Sequence, residues 1–261
     1  MISALVARRR LASPVILIAI GIAWTLAVVA QATGREHALH HDALTHSTLP
    51  LWAALLVFLV AWQAMIIAMM IPSSLPLVGV FNRAAAAQPR PELVKAAFFG
   101  GYAVVWSAFG AIAFLGDIGI HRLVHASPWL QQRPWVIAGG TLFIAGLFQF
   151  SDLKDACLTE CRHPGPFFMS RYRRGPAAAF KMGRDHGLFC LGCCWALMLV
   201  GFGAGVANLW WMAALTAIMV YEKTGRDGDR GVVPIGVGLI ALGALVLAHP
   251  SWLPPGFFGA A

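Results

Sequence analysis

The chain has 261 residues, 59% of them hydrophobic and 11% charged, with a formal net charge of +8. A soluble domain carries about 25% charged residues, so a surface wetted on all sides is excluded. The positive balance marks the cytoplasmic ends of membrane helices rather than a nucleic-acid surface, and no nucleic-acid partner is expected.

Seven apolar runs follow one another, at 14–31, 51–71, 96–116, 134–150, 187–203, 205–221 and 232–248. Each approaches the roughly 20 residues that cross the apolar layer of a bilayer. They predict one all-α membrane domain over 1–261, a polytopic bundle of about seven spans. From Gly187 to Tyr221 no residue is charged, which is too long for one span. Gly201, Gly203 and Gly205 therefore predict a turn that makes a helical hairpin.

The basic residues set the direction. Arg8–Arg10, Arg83, Arg90, Lys95, Lys154, Arg162, Arg171, Arg173, Arg174, Lys181, Arg184, Lys223, Arg226 and Arg230 fall on one side, and only Arg35, Arg122 and Arg133 on the other. With positive charge inside, the N-terminus is cytoplasmic and the C-terminus periplasmic, and the expected location is a bacterial inner membrane. Arg8–Arg10, the first apolar run and Ala30-Gln31-Ala32 also resemble a signal peptide with its cleavage site. Cleavage would leave six spans in the same orientations.

The first outer loop carries His37, His40, His41 and His46, and the second His121 and His125. His37 and His41, like His121 and His125, are four apart. Neutral imidazole is the commonest transition-metal ligand, so these form a candidate second metal site; a solvated polar loop is the ordinary alternative. Glu36, Asp42 and Asp117 would permit a harder ion there. The inner end of the second run holds Met65, Met69 and Met70. Pro72 and Pro76 follow and predict an end or a kink of that helix.

All five cysteines lie between residues 157 and 194: Cys157, Cys161, Cys190, Cys193 and Cys194. Cys157 and Cys161 sit in the long cytoplasmic loop, and the other three in the first turns of the fifth span, at matched depth. On helices, Cys157 and Cys161 share a face, and His186, Cys190, Cys194 and Met198 form a stripe four apart. Thiolates and thioethers favour Cu(I), while thiolate with imidazole also suits zinc or iron. The predicted metal ligands are thus Cys157, Cys161, Cys190, Cys193, Cys194, Met69, Met70, Met198 and His186, with copper the expected ion. The competing explanation is that buried free Cys and Met pack as apolar residues. Glu222 and Lys223 are expected to form an interfacial pair, and Lys154 and Lys181 to flank the thiols. At mid-depth only Gln63, Asn208 and small hydroxyls occur, which argues against a proton-driven transporter.

Three segments carry a family resemblance: Met65-Ile66-Ile67-Ala68-Met69-Met70-Ile71-Pro72-Ser73-Ser74, the run from Lys154 to Pro164 with Cys157 and Cys161, and Cys190-Leu191-Gly192-Cys193-Cys194-Trp195-Ala196-Leu197-Met198. Asn208-Leu209-Trp210-Trp211-Met212 and Glu222-Lys223 add to it. Over about residues 50–225 the chain resembles a bacterial family of predicted metal-binding integral membrane proteins, a domain of unknown function. The resemblance implies a metal-binding membrane protein and fixes no metal, substrate or reaction.

Four functions stay open on these grounds. The first is copper binding, delivery or transfer through the inner Cys/Met cluster, with a metallochaperone or a membrane complex as partner besides the lipid. A copper- or iron-dependent membrane oxidoreductase would draw on the outer histidines. A thiol-disulfide protein would use the Cys190-Leu191-Gly192-Cys193 run. A structural subunit would carry its cysteines incidentally.

Overall fold

The computed structural model describes residues 13–34, 49–133, 135–203 and 209–250, and the first outer loop with His37, His40, His41 and His46 lies outside them. The described residues form helices and no strand: α1 (Pro14–Ala32), α2 (Leu51–Ala86), α3 (Pro91–Ala126), α4 (Pro128–Gln131), α5 (Trp135–Phe148), α6 (Asp152–Arg162), α7 (Pro164–Arg171), α8 (Pro176–Gly203), α9 (Leu209–Thr224) and α10 (Gly228–Ala248). Five of them begin on proline, whose fixed φ suits the first turn and whose missing N–H is not needed there. Helix α6 has a side-chain cap instead: Ser151 Oγ accepts from the Lys154 N–H at 3.2 Å, and Asp152 and Asp155 face the positive helix end.

The seven apolar runs fall on α1, α2, α3, α5, α8, α9 and α10 in turn. By length and apolarity α1, α2, α3 and α10 are each able to cross a membrane. Helices α5 and α6 pass the same test only as a pair bent by 66°, so the described residues supply four such helices, or five. Long apolar side chains turn outward along these helices, among them Val60 at 74% exposure and Ile112 at 69%. Such an apolar exterior is compatible with insertion into lipid.

Helix α2 corrects one expectation. It does not end at its prolines but runs through Pro72 and Pro76 to Ala86. A proline at 72 removes the N–H that would bond to the carbonyl of Ala68. Trp24 of α1 supplies the replacement, its Nε1 donating to Ala68 O at 3.1 Å. Ser73 Oγ also turns back on its own helix, to Met70 O at 2.8 Å. The carbonyl that Pro72 frees is satisfied by the Trp24 indole, and the helix continues. The turn expected at Gly201 and Gly203 is not there, since α8 stays helical through Gly203; Gly205 and the rest of 204–208 lie outside the described residues.

Two pairs of helices approach backbone to backbone. A Cβ on Gly183 of α8 would collide with the Phe98 carbonyl of α3, and one on Gly101 of α3 with the Phe180 carbonyl of α8. Gly139 and Gly243 likewise let α5 meet α10. Small residues at such crossings allow the close contact that drives helix association in lipid. The α3–α8 contact has the larger consequence for the cysteines, because it fixes the face of α8 that bears them against Tyr102.

Candidate metal centre

Cys190, Cys193 and Cys194 lie on the inner face of α8 and are essentially fully buried. Their spacing along one helix gives the three thiols different neighbours. Cys190 Sγ is 3.1 Å from Tyr102 Oη and accepts from Lys223 Nζ at 3.1 Å. Cys193 Sγ points towards α6, 3.9 Å from Cys161 Sγ. Cys194 Sγ reaches α2, 3.7 Å from Met70 Sδ. Both Cys193 and Cys194 also bond back to the Cys190 carbonyl, at 3.1 and 2.8 Å.

The amphipathic helix α6 brings the second cysteine group. Cys157 packs on Gly192, where any Cβ would strike its sulfur. Cys161, one turn on, is half-buried and lines an open pocket of about 440 Å³ with Pro72, Pro76, Pro164 and Lys223. Arg162 holds the end of α6 in place. It donates to the carbonyl of Glu222 and, at 3.4 Å, to the carbonyl of Arg226 and the carboxylate of Asp229. The first of these fills a carbonyl that the end of α9 leaves open.

All five thiols are free. Among the described residues, no group of three His, Cys, Asp or Glu is arranged as a ready metal cage. The sulfur contacts instead run pairwise, from Cys161 to Cys193 and from Cys194 to Met70. Such soft donors suit Cu(I), whereas a structural zinc site closes four ligands around the ion.

The remaining predicted ligands separate. Met69 and Met198 are buried in the same core as the cysteines. His186 sits between aromatic rings, stacked with Tyr102 and Phe98 and edge-on to Phe167, and its Nε2 is bonded to Ser74 Oγ at 3.1 Å. His121 pairs with Asp117 at 3.5 Å, and His125 is exposed one turn on. From Tyr102 to His121 the helix α3 rises about 28 Å, so the histidines lie that far along it from the level of the cysteines.

The charged residues depart from expectation. Glu222 and Lys223 do not pair with each other. Glu222 Oε2 accepts from Lys154 Nζ at 2.7 Å, and both side chains are buried. Glu222 Oε1 has no partner among the described residues. Lys223 turns to the thiols, with Ser73 Oγ at 3.3 Å and Cys194 Sγ at 4.0 Å besides Cys190. Lys181 is exposed. Helical geometry held a signal for this, because residues one apart do not face each other. Tyr102 carried no comparable signal in the sequence.

Residues 59–246 match the PpoB2 family, described as copper chaperone. No curated protein and no solved structure matches the chain.

Proposed function

Because the chain belongs to the PpoB2 copper chaperone family, we propose that it is a multi-pass inner-membrane protein that takes Cu(I) as cargo at a cytoplasmic-side Cys/Met cluster. In this reading seven spans place Cys157, Cys161, Cys190, Cys193, Cys194, Met70 and the neighbouring Met69 and Met198 near the inner face. The N-terminus is inside and the C-terminus outside.

The observation that carries the proposal is the pairwise line of sulfurs leading inward from an open pocket. Cys161 is accessible at the pocket wall, Cys193 lies 3.9 Å behind it, and Cys194 with Met70 lies deeper. Cu(I) passes between soft ligands by exchange, one sulfur replacing another, without a redox change. Low-molecular-weight thiols or a soluble metallochaperone are suitable donors. The separation of about 28 Å between Tyr102 and His121 compares with an apolar layer of about 30 Å, which supports placing the cysteines and His121 at opposite faces.

Full-length protein purified anaerobically in detergent is expected to bind at least one Cu(I) per chain against a chromophoric chelator. Cys161→Ser/Cys193→Ser is expected to weaken binding by about 10²-fold, near 2.7 kcal/mol. Copper retained in that variant but lost in His37→Ala/His41→Ala would sink the proposal and move the site to the outer loop.

A further inference from the structure

The buried charges near the thiols do not balance. Lys154 and Glu222 neutralise each other at 2.7 Å, both nearly inaccessible. Lys223, 5% exposed, has no carboxylate partner among the described residues; its ammonium faces Cys190, Ser73 and Cys194. A buried cation without a counter-charge is costly. The charge that matches it must come from the sulfurs.

We infer that Lys223 is the fixed counter-charge that makes this centre select a monovalent metal ion. The inference rests on the copper reading of the cysteine cluster. A monovalent ion held by two thiolates is an anion of charge −1, and beside the Lys223 ammonium the assembly is neutral. A divalent ion on the same two thiolates is already neutral, so Lys223, only 5% exposed at the pocket wall, would keep a positive charge that no thiolate matches. The chemistry of the sulfurs favours soft ions in general; the ammonium adds discrimination by charge. Loading is a ligand exchange. Two thiolates of a low-molecular-weight thiol release Cu(I) to one thiolate and one thiol of the protein; one of them takes up the remaining protein thiol proton and the other leaves as thiolate, while two S–Cu bonds break and two form. No electron moves. Lys223 acts through the thiolates and is a positioning residue, not a ligand.

The test uses full-length protein in detergent under reducing, anaerobic conditions, titrated separately with Cu(I) and Zn(II). Lys223→Met is expected to lower the Cu(I)-over-Zn(II) preference by about 10²-fold, and Lys223→Arg to preserve it. Equal loss for both ions, or no change for either, would overturn the inference. The compensating variant Lys223→Met/Cys190→Met removes one positive and one negative charge together. It is expected to bind Cu(I) more tightly than Cys190→Met alone, an outcome that a merely structural lysine would not give. The reverse order overturns the inference even if Lys223→Met itself fails to fold. Cu(I) binding unaffected by Cys190→Ser/Cys194→Ser but lost in Cys161→Ser/Cys193→Ser would overturn the inference and leave the copper reading standing, whereas binding unaffected by either pair would show that the cysteine reading itself has failed.

Discussion

Glu222→Gln is expected to destabilise the protein by about 3–5 kcal/mol, the usual cost of removing one partner from a buried ion pair. The pair joins α6 to α9, with Lys154 Nζ and Glu222 Oε2 2.7 Å apart and side chains 1% and 2% exposed. At that depth solvent does not screen the loss. The amide would leave the Lys154 ammonium without its charge, beside a second buried ammonium on Lys223. The double variant Lys154→Met/Glu222→Leu removes both charges, and apolar replacement of a buried pair is often neutral or stabilising. It is expected to melt within about 1 kcal/mol of the parent or above it. Thermal unfolding of the detergent-solubilised protein by circular dichroism checks both. A Glu222→Gln protein that melts with the parent would show that the pair holds nothing together. If the double variant falls as far as the single one, shape matters more than charge.

The second large effect is expected at the α3–α8 crossing. Gly183→Val would drive a branched side chain into the Phe98 carbonyl, where even a single Cβ does not fit. Overpacking usually costs about 1–3 kcal/mol when side chains can give way. The obstacle at Gly183 is backbone, and Gly101 meets the Phe180 carbonyl in the same way from the other helix. The cost is therefore expected at the top of that range or above. The helices would have to part, which takes Tyr102 away from Cys190, now 3.1 Å from it. Gly119→Ala, with open space around its Cβ, is the control. It is expected to gain about 0.5–1 kcal/mol from helix propensity. A lowered melting temperature together with weaker Cu(I) binding in Gly183→Val, and neither in Gly119→Ala, is the expected pair of results. Unchanged melting in Gly183→Val would mean that the crossing is looser than its geometry implies.

Hydropathy is a property of the chain in one dimension, so the helical class and the seven apolar runs were legible directly. So was the chemistry of the candidate site, because five cysteines and several methionines name the softness of a ligand whatever their arrangement. The copper expectation drawn from them agrees with the family to which the chain belongs. Local cues also worked where the interaction is local, as with the prolines that open helices. At Pro72 they allowed an end or a kink, and the helix does not end there, because an indole 44 residues away takes the freed carbonyl.

Which residues meet inside was beyond such cues. Lys154 and Glu222 are 68 residues apart, and Lys223 and Ser73 are 150 apart. Composition marked these lysines as labels of the cytoplasmic side, and the adjacency of Glu222 and Lys223 suggested a pair. The fold sends them in different directions, one to close a buried ion pair and the other to face the thiols. The amino-acid sequence by itself determined a helical, lipid-compatible protein rich in soft sulfur side chains. Only the tertiary structure decided that sulfurs meet in pairs and that one ammonium is left beside them. A buried charge takes whatever partner the packing of distant helices brings within about 3 Å, and no local pattern records that choice.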